Sequence, residues 1–209
     1  MYRPTHFRED DPATLASFID QHALATLVAA TDGGLLANHL PLLRFVGADG
    51  AMLLRGHVAR GNELWKRVPE GGSVLAVFGG PQHYISPAWY PTKTQTGEVV
   101  PTWNYTVVHA HGRIGFIDDR EWLRALVTAL TDRHEAGRAE PWAVADAPAT
   151  YLDKMLRAIV GFEIAVERLE GKFKCSQNRT EAERAGVVTG LGAEGVGAAA
   201  IGVLVRAPR

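Results

Sequence analysis

HYISPAWYPTKTQTGEVVPTWNYTVVHAHG, residues 83–112, sets the architecture expected of this chain. Pro87, Pro91 and Pro101 rule out a continuous helix, because each lacks an N–H donor and biases its predecessor toward extended geometry. The stretch predicts two extended runs flanking a polar, glycine-containing loop, Thr92 to Glu98. Five rings fall within it: Tyr84, Trp89, Tyr90, Trp103 and Tyr105, beside Asn104, His109 and His111. Two readings fit such a cluster. Rings and amides at a bend suit a flat aromatic ligand, and rings on strands also serve as sheet packing.

The segments on either side continue the β pattern. Ala23–Ala30 is an apolar run suited to a buried strand, and Thr31-Asp32-Gly33-Gly34 is a strong turn signal. Leu35–Phe45 returns as a second strand, with Pro41 placing it at an edge or bulge and Asn38 and His39 at a rim. Ala51–Arg55, Ser73–Phe78 and Gly161–Lys172 supply further strands, the one at 73–78 ending at Gly79-Gly80-Pro81, and Thr102–Phe116 supplies two strands or one long bent strand. Helices are expected after Asp10-Asp11-Pro12, after Asp118 as far as Arg133, over Tyr151–Ile159 and over Thr180–Val188. Consecutive strands with tight turns imply an antiparallel sheet or barrel with peripheral helices, not a βαβ fold. The lone GxGxxG string, Gly190–Gly195, follows an expected helix rather than a strand, and no GxxxxGK[ST] is present, so neither dinucleotide nor P-loop binding follows.

One segment offers an anion seat. A strand leads through Gly56, His57, Arg60 and Gly61 to Asn62, a plausible N-cap for a short helix over Glu63–Arg67. Backbone N–H groups, the helix terminus and the Arg60 fork would converge there. Read alone, an arginine before a helix is more often a solvated charge.

Bulk properties limit the possible functions. The 209 residues suffice for one domain with a substantial core. A net charge of −1 gives no overall footprint for nucleic acid or an anionic membrane. The single cysteine, Cys175, excludes an intramolecular disulfide and a cysteine-rich zinc site, and a reducing cytosol is the simplest compartment. The N-terminus lacks the apolar core of a signal peptide, no run reaches the length of a spanning helix, and the apolar tail Val196–Val205 suits packing or an interface. His109 and His111 share one strand face, but without a third ligand no metal is assigned.

Six strings resemble the PaiB-type family of FMN-binding negative transcriptional regulators: MYRPTHF (1–7), ANHLPLL (37–43), RGHVARGNELW (55–65), YISPAWY (84–90), VPTWNY (100–105) and KCSQNR (174–179). Only VPTWNY and SQNR are specific singly; their order and spacing carry the resemblance, which runs nearly end to end. It implies the FMN-binding split β-barrel fold, shared with pyridoxamine-phosphate oxidases and flavin reductases. The expectation is a single domain over 1–209 with a C-terminal helical extension, FMN as cofactor, and a homodimer with flavin between subunits. Ala88 stands where the family often has Ser, and Cys175 where it has an apolar residue.

The resemblance also suggests a site. RGNEL, Arg60–Leu64, is similar to a Lys-Gly-x-Glu-Leu element whose lysine holds the FMN phosphate, with Arg replacing Lys. Arg60 is therefore the phosphate candidate, with His57 and Asn62 beside it. Asn104 and Gln177 or Asn178 offer amides for the flavin pyrimidine edge, and Trp103 or Trp89 a cover for the ring. Ser176 and Arg179 complete the set, although a helix N-cap explains residues 176–179 as well. The function implied is a regulatory flavoprotein. The alternatives are a flavin-dependent oxidoreductase or flavin reductase, and a haem-binding split barrel with an axial histidine.

Overall fold

Asp32 and Gly33 turn the chain between two strands in register Thr31↔Gly34 to Leu24↔Pro41, a tight hairpin in which Gly34 takes φ 106°. The computed structural model describes residues 1–206. Its strands are β1 (Arg8–Glu9), β2 (Leu24–Thr31), β3 (Gly34–Pro41), β4 (Leu43–Val46), β5 (Met52–Ala59), β6 (Gly72–Ile85), β7 (Thr102–Ile117) and β8 (Ile159–Lys174). Its helices are α1 (Pro12–Gln21), α2 (Leu64–Arg67), α3 (Thr92–Gln95), α4 (Arg120–Glu135), α5 (Ala149–Arg157), α6 (Glu181–Gly192) and α7 (Val196–Arg206). The eight strands form one sheet in the order β3-β2-β6-β7-β8-β5-β4, with β1 also paired to β8. The pairs β1–β8, β2–β3, β4–β5 and β5–β8 are antiparallel.

The chain forms two compact units. The first takes Met1–Phe18, Phe78–His109 and the chain from Glu170 onward; the second takes Ile19–Val77 and Ala110–Leu169.

In the second unit, the strand expected over Leu35–Phe45 is two strands at opposite ends of the sheet order. The break falls at Leu42, which is buried and donates its N–H to the Ala23 carbonyl. Pro41 cannot extend a ladder, so the chain leaves β3 there. β5 runs past Arg55, the expected end, because Gly56 faces Phe162 across the β5–β8 register. A Cβ on Gly56 would meet the Phe162 ring and the Leu42 side chain, so glycine is what allows the strand to continue. Asp119, not Asp118, caps α4: its Oδ1 accepts the Trp122 N–H at 2.7 Å. The expected apolar stripe of α4 packs inward, with Leu123 clustering with Val144, Leu152 and Leu156.

In the first unit, Asp11 caps α1, its Oδ2 accepting from Thr14 N at 2.7 Å. Phe18 of α1 lies against Phe173, ring centroids 5.1 Å apart. β6 continues through Gly79-Gly80-Pro81, where an end was expected. Gly80 must stay bare, since a Cβ there would strike Phe18 and Thr106. The aromatic stretch is less extended than its prolines suggested. After Ile85 it forms a 3-10 turn at Pro87–Trp89, with Ser86 Oγ accepting from Ala88 N, and then α3. Proline blocks helix interiors but is tolerated in a first turn, where its missing N–H is not needed. The tail forms α7, which buries Ala198, Ile201 and Val205 and exposes Val203. Among the described residues, no helix is long and apolar enough to cross a membrane.

Candidate functional site

His57, Arg60 and Asn62 lie in the second unit. Four hydrogen bonds hold the Arg60 guanidinium, whose side chain is 38% exposed. Nη1 and Nη2 donate to the two Asp118 oxygens at 2.8 and 2.5 Å, Nε to the Arg157 carbonyl at 2.8 Å, and Nη2 also to the Ile159 carbonyl at 3.0 Å. This fork-on-carboxylate geometry holds the Asp118 carboxyl below its usual range. Arg60 and Asp118 line a cavity of about 320 Å³ with Arg120 and Arg157. The short helix starts at Leu64 with Glu63, not Asn62, at its cap position; Asn62 Oδ1 still accepts Leu64 N at 2.8 Å across a tight turn, and its Nδ2 donates to Asn38 Oδ1 at 2.8 Å. Asn38 Nδ2 and His57 Nδ1 are buried without a protein partner. Burial also pulls the His57 imidazole down, favouring its neutral form.

Trp103, Asn104 and Ser176–Arg179 lie in the first unit, and the structure brings several of them together. Asn104 is 1% exposed and donates from Nδ2 to Ser176 Oγ at 2.9 Å, while its Oδ1 has no protein partner. A buried acceptor left this way costs about 1–3 kcal/mol. Next along β7, the Trp103 indole is 50% exposed and meets Tyr84, 43% exposed, edge to face at 6.3 Å. Residues 176–179 are not a helix cap. Thr180 caps α6 in a reciprocal box with Glu183, and the preceding residues form a tight turn. Ser176 adopts φ 63°, a left-handed conformation uncommon outside glycine, and its carbonyl accepts Arg179 N at 3.0 Å. Gln177 is committed to this turn, accepting Cys175 N at 2.7 Å and donating to the Phe173 carbonyl at 2.5 Å. Arg179 stacks on Tyr90 at 4.8 Å and pairs with Glu183 at 3.5 Å, and Asn178 is exposed. Trp89 packs on α6, where Gly186 and Gly190 leave room for it.

Two lysines passed over in the sequence stand beside this group. Lys174 donates to Thr102 Oγ1, and to the Trp103 carbonyl at 2.9 Å. Lys172 is buried, its ammonium 5.4 Å from the Tyr105 ring and 5.5 Å from Tyr2. The signal was available: Lys172 and Lys174 are two apart on a strand and so share a face.

A half-exposed indole, a buried amide oxygen awaiting a donor and adjacent ammonium groups suit a planar aromatic ligand with N–H donors and an anionic tail. That donor set fits a flavin phosphate. A mainly antiparallel eight-stranded sheet with flanking helices is also the fold of flavin-binding split barrels. Two solved structures share it. The FAD and haem binding protein from Mycobacterium smegmatis superposes with TM-score 0.59 at 20% identity, over 80% of this chain and 73% of that one. Flavocytochrome Anf3 from Azotobacter vinelandii gives 0.60 at 15% identity, over 83% and 72%. At such identities they establish the fold alone. The family model described as "Putative FMN-binding domain" matches residues 1–168, leaving α6 and α7 beyond it. Protease synthase and sporulation protein PAI 2 of Bacillus subtilis is 34% identical over 191 residues, 91% of this chain and 89% of that protein. The chain belongs to this PaiB-type family of flavin-binding split-barrel proteins.

Proposed function

We propose that the protein is a homodimeric, cytoplasmic FMN-binding regulator, its whole chain serving as one cofactor-binding domain. The observation that carries the flavin reading is the unpartnered, buried Asn104 Oδ1 beside the half-exposed Trp103 indole. Asn104 would accept from a flavin ring N–H, Ser176 would fix the Asn104 amide, and Trp103 would cover the ring. Residues 177–179 would shape the turn beside it. Arg60 is the sequence's phosphate candidate, with His57 and Asn62 beside it; in that role its fork would have to exchange Asp118 for the phosphate. Bound flavin would supply electron or hydride transfer, while the protein binds and orients it. The regulatory role rests on the family. A net charge of −1 favours an effect through a ligand or partner over broad contact with nucleic acid.

A second reading, a flavin-dependent oxidoreductase with or without haem, is favoured by the shared fold of the Mycobacterium smegmatis FAD and haem binding protein. The absorbance spectrum of the purified protein before and after adding FMN, with its mass in solution, tests both. Flavin bands with a dimeric mass support the proposal. A Soret band supports the second reading, and a monomer indifferent to FMN refutes the first.

A further inference from the structure

Resting on the flavin reading, we infer that the FMN phosphate is seated by Lys172 and Lys174 on the C-terminal half of β8, not by Arg60. The two candidates differ in what each cation already holds. Arg60 has a bidentate carboxylate and two carbonyls, so a phosphate would gain only what Asp118 gives up. The lysines have no such partner. Among the described residues, no carboxylate lies within ion-pair distance of either ammonium. Lys172 faces the Tyr2 and Tyr105 rings, and Lys174 a hydroxyl, a carbonyl and, at 6.0 Å, the Phe7 ring.

Glu170, on the same strand face, is already engaged, with the Met1 amino group at 3.1 Å and Arg3 at 4.0 Å. Glu183 is engaged with Arg179 and the α6 cap. The group therefore carries excess positive charge in a partly desolvated place. Burial first, then the neighbouring charges of Lys172 and Arg179, draw the Lys174 ammonium below its usual range. A group in that state gains from a dianion, because the anion offsets both the repulsion and the lost hydration. The placement also suits the ligand. Lys174 is bonded to the carbonyl of Trp103, the proposed ring cover, and Asn104 follows directly, so ring and phosphate contacts fall within one run of β7 and its partner residues on β8.

The test is a fluorescence titration with FMN and with riboflavin, which has the same ring and no phosphate. It uses the wild type, Lys172→Met, Lys174→Gln and Arg60→Ala, with thermal melts confirming that each folds. The expected result is that each lysine variant weakens FMN by about tenfold or more, the worth of a charge-assisted bond. Riboflavin should change much less, and added salt should weaken FMN alone. Lys174→Arg should restore FMN preference, which mere loss of packing would not allow. Equal losses for the two ligands in the lysine variants overturn the inference alone. So does a loss of phosphate preference confined to Arg60→Ala. A wild type that binds neither ligand overturns the inference and the flavin reading together.

Discussion

Replacing Asn104 by alanine separates what its amide does for the fold from what it does for a ligand. In the free protein the change removes the 2.9 Å bond to Ser176 Oγ and strands that buried hydroxyl. The cost is about 2 kcal/mol, of which about 1 kcal/mol returns because the unpartnered Oδ1 disappears as well. The net loss of about 1 kcal/mol lowers the melting temperature by roughly 2–4 °C in a chain of this size. FMN changes the comparison. At about 100 times its Kd the wild type gains about 2.7 kcal/mol from binding. If the variant binds about tenfold more weakly, the worth of one hydrogen bond, its gain at the same concentration is about 1.4 kcal/mol. The gap between the two proteins should then widen from about 1 to about 2.3 kcal/mol on adding FMN. Differential scanning fluorimetry with and without FMN, backed by a fluorescence titration, measures both gaps. A gap that FMN leaves unchanged would show that Asn104 serves only Ser176, and would refute the proposed contact.

Gly190→Ala should destabilise by about 1–3 kcal/mol, because its Cβ would enter the space of the Trp89 ring; Gly192→Ala, with nothing within 4 Å, should not, and chemical denaturation compares the two. His57 should make stability fall toward acid. Its folded imidazole titrates below the ordinary value of about 6.5, so the unfolded chain binds the proton first and stability is lost as pH drops through that value. His57→Gln should flatten this slope in melts from neutral to mildly acidic pH, leaving the part due to His22, which burial shifts the same way. Cys175 should resist thiol reagents at mildly alkaline pH in the folded protein and react once unfolded, because burial pushes its thiol up to about 12; rapid native labelling would contradict that environment.

Much of the architecture was legible along the chain, and the exceptions share one cause. Asp32-Gly33 announced its hairpin, Asp11 its helix start, and the α4 stripe its buried face, because each is written in neighbours a few residues apart. The misjudged ends depended on partners far along the chain. Gly56 extends a strand because Phe162 lies opposite, and Gly80 because Phe18 does; locally both look like terminators. Asp119 caps the helix while Asp118 pairs with Arg60, 58 residues away, a division of roles that neighbouring residues do not record.

The candidate site divides the same way. The strings VPTWNY and KCSQNR mark Trp103, Asn104 and Ser176 in the sequence itself, since residue type and order are local information. That Asn104 Oδ1 is buried without a partner among the described residues, that Arg60 has most of its donors engaged and that neither Lys172 nor Lys174 meets a carboxylate of the described residues are facts of folding. Charge and hydrogen-bond balance depend on which groups the fold brings within a few ångströms and how much water it removes, and the order of residues does not record either.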